Sequence, residues 1–151
     1  MKPIHVHKKD FVAIIAILYM LLFVYTASSK LMHLGVFRLR LERMPYIAPY
    51  AQWISWGLPF LELVIAGLLL FHGYRLIGLY ASLILMFVFT GYIIAVLQFS
   101  DSIPCSCGGV ISALGWKDHI LLNSTFMLLA LFGIIWSKKN YGLQSYQDTV
   151  Q

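Results

Sequence analysis

The two cysteines of this chain, Cys105 and Cys107, are separated by a single residue. A disulfide between them would close a small ring that departs from relaxed geometry, and such strain makes a disulfide easier to reduce. Gly108 and Gly109 follow at once, and glycine adopts backbone angles that let another chain or a cofactor ring come close. The pattern therefore favours reversible thiol–disulfide chemistry.

Two other interpretations of the cysteines stay open. Two thiolates bind Cu(I) well, with Met or His as a further ligand, so Cys105 and Cys107 are also a candidate copper site. With only these two cysteines, the sequence holds no Cys-x-x-Cys repeat and no zinc-type ligand set. The remaining interpretation is that both are ordinary small residues in the loop of a non-enzymatic membrane assembly subunit.

Lys117 and His119 follow the cysteines along the chain, in a candidate group that also contains Asn123. A cation or an imidazole beside a thiol increases the fraction of reactive thiolate, so both residues are candidate supporting groups. The alternative is that Trp116 and Lys117 anchor the membrane interface while Asp118 caps the next helix.

Glu62 is the one acidic residue inside an apolar run. Counted from Trp53, it lies about 13 Å along its helix, and a charge at that depth is costly unless it is paired. Lys30, near the end of the preceding apolar run, is the best available partner. The pair is predicted to be a structural bridge between two helices, or else Glu62 handles protons or contacts a quinone-like molecule.

The composition of the chain is that of a membrane protein. Hydrophobic residues make up 60% of the chain and charged residues 11%, a balance far from that of soluble proteins. Four apolar runs approach or exceed the length of about 20 residues that spans the hydrocarbon core, and each must form a helix because lipid offers its backbone no hydrogen bonds. The sequence predicts an all-α membrane protein of one domain, residues 1–151, with helices at about 11–34, 53–71, 76–98 and 120–136 and a redox loop at 100–116.

The segment 32–49 has a different pattern. Leu34, Phe37, Leu41 and Met44 recur at helical spacing with charged residues between them. Such spacing is typical of a short amphipathic helix that lies in the membrane interface. We therefore expect an interfacial helix directly after the first span.

The orientation of the protein in the membrane is predicted from basic residues that adjoin helix ends, not from the number of basic residues on each face. Four spans put both termini on one side, and the two faces carry similar numbers of basic residues. The terminal face holds Lys2, Lys8, Lys9, Arg75, Lys138 and Lys139, and the opposite face holds Lys30, Arg38, Arg40, Arg43 and Lys117. Because the two lysine pairs adjoin helix ends, we expect cytoplasmic termini and a cysteine loop on the outer face. The basic residues are too dispersed for a nucleic-acid site.

Three segments together resemble the MauE branch of the DoxX-like membrane proteins. They are Ala27 to Leu31 (ASSKL), Leu58 to Leu63 (LPFLEL) and Cys105 to Gly109 (CSCGG), and the likeness covers about residues 11–136. The resemblance implies a four-helix, redox-associated protein of the bacterial inner membrane, and the family's namesake is needed in methylamine utilisation. It carries over Cys105 and Cys107 as the redox pair, with Lys30 and Glu62 as the polar pair in the membrane. Ser106 and Gly108 replace the glycine and the aromatic residue that are frequent in the family, so the implication concerns the redox role rather than methylamine.

The function predicted from these observations is that of a thiol–disulfide oxidoreductase. Its Cys-x-Cys pair would face the periplasm and exchange disulfides with a thioredoxin-like or client protein. With no second cysteine pair to relay electrons, the electrons would pass directly to a membrane quinone as the cofactor. The same absence equally favours a protein that only hands disulfides from one partner to another. The competing predictions are the assembly subunit and the Cu(I)-binding factor described above.

Overall fold

The computed structural model describes the backbone of residues 8–99 and 116–149, and the side chains of residues 11–99 and 118–137. Within this part of the chain every regular element is helical. The helices are α1 (Lys8–Met32), α2 (Leu34–Glu42), α3 (Ala51–Leu70), α4 (Arg75–Phe99) and α5 (Trp116–Thr149), with short 3-10 turns at Ala48–Tyr50 and His72–Tyr74.

Four helical segments are long and apolar enough to cross a membrane: Phe11–Met32, Ala48–Leu70, His72–Phe99 and Asp118–Ser137. At most 33% of the residues in the most apolar window of each segment are buried inside the protein. Large apolar side chains such as Trp53, Phe60 and Phe87 instead point outward. Since water would penalise such a surface, lipid must cover it, and the predicted all-α membrane fold with four spanning helices is confirmed.

The four long helices form a ring in the order α1, α3, α4, α5, so that α3 and α5 stand diagonally across the bundle. The centre is filled by side chains such as Ile15, Tyr19, Phe23 and Leu79, each at most 1% exposed. The Tyr19 hydroxyl donates a hydrogen bond of 2.5 Å to the backbone carbonyl of Phe126 on α5. This bond satisfies a hydroxyl that has no access to water.

The connections place two groups of helix ends on opposite sides of the membrane. The end of α1, the start of α3, the end of α4 and the start of α5 lie at one side together with α2; we name this side the α2 end. The turn His72–Tyr74 joins α3 to α4 at the other side. Residues 100–115, which include both cysteines, connect α4 to α5 at the α2 end and lie outside the described residues.

A short helix, α2, follows the first span as predicted, but it ends at Glu42 and does not include Met44. Leu41 and Met44 are buried, and Leu34 and Phe37 are half-buried. The first predicted span, to residue 34, is divided in the structure by a turn at His33. After α2, the hydroxyl of Tyr92 on α4 donates to the backbone carbonyl of Pro45 at 3.0 Å, which ties the chain after α2 to the bundle.

Replacing Gly78 by alanine should destabilise the bundle. A Cβ atom at this position would lie 2.9 Å from the side chain of Leu69 and 3.1 Å from its backbone nitrogen, so α3 and α4 would have to separate. We expect Gly78→Ala to cost about 1–3 kcal/mol of unfolding free energy. The unfolding temperature of the purified protein in detergent measures it.

The matched control is Gly91→Ala in the same helix, where a Cβ atom would meet open space. Alanine is the better helix former, so this variant should be neutral or more stable by up to about 1 kcal/mol. Equal unfolding temperatures for the two variants would contradict the close packing of α3 on α4.

Candidate functional site

The predicted redox loop can be located only by its anchors. Cys105, Cys107, Gly108 and Gly109 lie outside the described residues, and the structure describes the backbone but not the side chain of Lys117. Helix α4 ends at Phe99 and α5 begins at Trp116, both at the α2 end. The cysteine-bearing segment is therefore attached to the bundle at this end.

A cavity of about 310 Å³ lies inside the same end of the bundle and is lined by residues of α1, α2, α3, α4 and α5. Most of the lining is apolar, with side chains such as Phe37, Leu41, Phe89 and Ile93. The polar and charged residues of the lining are Tyr25, Thr26, Ser29, Lys30, Arg40, Glu62, Tyr92, His119 and Asn123. Apolar walls with a few convergent polar groups are typical of small-molecule sites.

Lys30 and Glu62 form an ion pair across α1 and α3, with 2.6 Å between Lys30 Nζ and Glu62 Oε1. Helical side chains incline toward the N terminus of their helix, and α1 and α3 run in opposite directions. Lys30 therefore leans into the membrane while Glu62 leans toward the α2 end, so the two meet. Lys30 Nζ also lies 5.9 Å from the centre of the Phe37 ring on α2. The predicted contact is present, and it joins three helices.

Glu62 has a second oxygen atom that the ion pair does not use. The residue is 6% exposed, and its Oε2 has no hydrogen-bond partner among the described residues. Thr26 lies beside the carboxylate, but its hydroxyl donates to the backbone carbonyl of Phe23 at 3.2 Å. A buried acceptor without a partner is costly. Glu62 Oε2 is thus a potential contact for a ligand.

His119 lies in the first turns of α5, with its ring centre 5.4 Å from that of Phe89 on α4. Its Nδ1 atom is buried and, within the described part of the chain, makes no hydrogen bond. One turn later, Asn123 Nδ2 donates to Thr90 Oγ1 at 3.2 Å. The Thr90 hydroxyl in turn donates to the backbone carbonyl of Met86 at 2.8 Å. The wall formed by α4 and α5 therefore carries the polar side chains of Thr90, His119 and Asn123 among apolar ones.

Arg40 and Tyr92 line the cavity but were not among the candidates, and Arg40 was placed on the charged side of α2. Asn123, a candidate in the same group as Lys117 and His119, does line the cavity. It lies four residues after His119, on the same face of α5. Asp118 lies inside the first turn of α5, which begins at Trp116, rather than before it as a cap.

The copper-binding alternative depends on Cys105 and Cys107 as metal ligands. Among the described side chains, no three His, Cys, Asp or Glu residues cluster as metal ligands. The candidate Cu(I) site, Cys105 and Cys107, lies outside that part of the chain.

Removing one partner of the Lys30–Glu62 ion pair should destabilise the protein more than removing both charges. Lys30→Met leaves a buried carboxylate without its cation, whereas Lys30→Met with Glu62→Gln leaves no charge. We expect the single variant to lose about 3–5 kcal/mol of stability and the double variant clearly less, a coupling of about 2 kcal/mol. Unfolding temperatures of the single and double variants in detergent measure this coupling.

The matched control is the pair Arg38–Glu42, whose atoms Arg38 Nε and Glu42 Oε1 are 2.9 Å apart but whose side chains are 49% and 41% exposed. Neutralising either partner should change stability by no more than about 0.5 kcal/mol, because exposed pairs are screened by solvent. Similar coupling free energies for the two ion pairs would contradict the prediction that the buried Lys30–Glu62 pair stabilises the bundle.

Comparison with known proteins places these observations in a family. The family model described as methylamine utilisation protein MauE matches residues 8–136, which is most of the chain. No curated protein and no solved structure matches.

Proposed function

The chain belongs to the MauE family, and from this premise we propose that it is a membrane thiol–disulfide oxidoreductase in which Cys105 and Cys107 alternate between a dithiol and a disulfide. The family match supports a membrane protein, and the cysteine pair supplies the chemistry. One observation carries the proposal: α4 ends and α5 begins at the α2 end, where the cavity with the buried Lys30–Glu62 pair lies, and both cysteines stand between these two helices in the sequence.

The proposed reaction moves two electrons. A thiolate of a partner protein attacks one sulfur of the Cys105–Cys107 disulfide, which forms a mixed disulfide and releases the other sulfur as a thiolate. The partner's second thiolate then attacks the mixed disulfide. The partner leaves oxidised, and Cys105 and Cys107 are left as the dithiol. Lys117 and His119, which follow the pair in sequence, are the groups that we assign to favour the thiolate form.

The proposed location is the bacterial inner membrane, with both termini in the cytoplasm and the α2 end facing the periplasm. The lysine pairs Lys8–Lys9 and Lys138–Lys139 flank the terminal ends of the first and last spans in the sequence, as the positive-inside rule favours. On the periplasmic side disulfides persist, so a thioredoxin-like or client protein is the proposed partner.

The redox state of the cysteines in intact cells tests the reaction and the orientation together. A membrane-impermeant maleimide mass tag should label Cys105 and Cys107 only after mild reduction. Labelling without reduction, together with stoichiometric retention of Cu(I), would instead support the copper-binding alternative. No labelling under either condition would contradict the exposed periplasmic location.

Trapping the partner tests the exchange step itself. Exchange is reversible, so in Cys107→Ser the Cys105 thiolate should attack the disulfide of the oxidised partner. The mixed disulfide should accumulate because Cys107 is no longer present to displace the partner, and the adduct should disappear when the sample is reduced. Cys105→Ser together with Cys107→Ser is the matched control, which can form no adduct. The absence of any adduct from both Cys105→Ser and Cys107→Ser would count against exchange and favour an assembly subunit.

A further inference from the structure

We propose that the cavity at the α2 end binds the head group of an isoprenoid quinone, held between Glu62 on α3 and His119 on α5. The cavity measures about 310 Å³. An apolar cavity of about 150 Å³ already holds a benzene ring. The available volume therefore fits a substituted quinone ring and the first part of its side chain.

The positions of the two unpartnered atoms suit a ring with oxygen atoms at opposite ends. Glu62 Oε2 and His119 Nδ1 are the buried side-chain atoms of the described residues that lack hydrogen bonds. Both residues line the cavity, and their helices stand diagonally across the bundle. A 1,4-quinone places its two oxygen atoms across the ring from each other, so each can meet one of these groups.

The chemistry of the two groups suits a ligand that changes from acceptor to donor. A quinone carbonyl accepts a hydrogen bond, and a quinol hydroxyl donates one. A carboxyl group donates when protonated and accepts when ionised, and a neutral imidazole nitrogen donates or accepts according to its tautomer. His119 can therefore meet either redox state through its choice of tautomer. Glu62 meets a quinol hydroxyl as a carboxylate, and it meets a quinone carbonyl when Oε2 carries a proton while Lys30 still donates to Oε1.

Other membrane molecules fit these groups less well. A lipid acyl chain offers no polar atom, so Glu62 Oε2 and His119 Nδ1 would stay unsatisfied. A lipid phosphate could pair with Arg40, but in the same cavity it would also place a negative charge near the carboxylate of Glu62, whose cation Lys30 is already engaged at 2.6 Å. A neutral ring with two oxygen atoms avoids both penalties.

The wall of the cavity reaches the lipid-facing surface. Tyr25 on α1 and Val88 on α4 contribute to the lining, yet they are 44% and 61% exposed. The cavity is thus bounded in part by side chains that lipid also contacts. An isoprenoid tail can extend from the ring into the bilayer beside either of these two side chains.

The ligand's role as electron acceptor rests on the proposed function, whereas its binding rests on the cavity alone. In the complete reaction two S–H bonds of Cys105 and Cys107 break and one S–S bond forms. The quinone takes up the two electrons and two protons and becomes the quinol. Glu62 and His119 are the groups placed to pass these protons to the ring oxygens.

Binding of decylubiquinone to the purified protein in lipid nanodiscs tests the proposal. We expect saturable binding, followed by quenching of tryptophan fluorescence, and no saturable binding of decanol, which carries the same chain without the ring. His119→Leu should weaken binding about tenfold through the loss of one hydrogen bond. Leu122→Trp, which places a large side chain in the cavity wall, should abolish it.

Ser82→Ala is the control, since Ser82 is fully buried in α4 with its hydroxyl bonded to the Gly78 carbonyl at 2.7 Å and lies outside the cavity lining. It should bind decylubiquinone as the unchanged protein does. Unfolding temperatures without ligand identify any variant that fails to fold. Equal saturable binding of decanol, or binding unchanged in both His119→Leu and Leu122→Trp, would overturn the proposal in favour of a bound acyl chain.

The double variant Cys105→Ser with Cys107→Ser separates this inference from the proposed function. It should bind decylubiquinone with unchanged affinity, because Glu62, His119 and the rest of the described cavity lining are the same in this variant. If thiol trapping succeeds but decylubiquinone does not bind, the quinone site is wrong and the exchange activity stands. If decylubiquinone binds and no mixed disulfide forms, the site stands and the exchange activity is wrong.

Discussion

Hydrocarbon cannot form a hydrogen bond, and every polar atom inside this bundle is subject to that constraint. The backbone meets it by forming helices. Hydroxyl groups within the spans meet it by donating to backbone carbonyls in the preceding helical turn, as Ser55, Ser82, Thr90 and Thr125 do. Against this background the two unpartnered atoms, Glu62 Oε2 and His119 Nδ1, stand out because both adjoin one cavity.

The features that could be predicted from the sequence are those that a single helix determines. Hydropathy gave four spans, and spacing gave the buried face of α2, since both depend on which side of a helix is apolar. The Lys30–Glu62 pair was predictable because a lone carboxylate deep in a span has few possible cations within reach. The break between α1 and α2 at His33 was not predicted. The residues around His33 continue the apolar pattern and include no proline, and the nearest glycine, Gly35, lies inside α2.

The cavity could not be predicted, because it depends on how five helices pack. Arg40 reads as one charge among several on α2, and only the position of that helix over the bundle turns it toward the interior. Asn123 and Thr90 are far apart in the sequence and meet only because α4 and α5 lie side by side. The ring order of the helices, which sets Glu62 diagonally across from His119, is likewise a property of the tertiary structure.

The order of the ion-paired residues along the chain bears on how the protein enters the membrane. A carboxylate or an ammonium group at the centre of a span each costs about 2.5–3.5 kcal/mol on insertion-based scales. Lys30 is synthesised before Glu62 and lies in the last turn of α1. Until α3 is inserted, its long side chain can reach the membrane interface. When α3 follows, Glu62 meets a cation that is already in the bilayer, so the two helices offset each other's insertion cost as a hairpin.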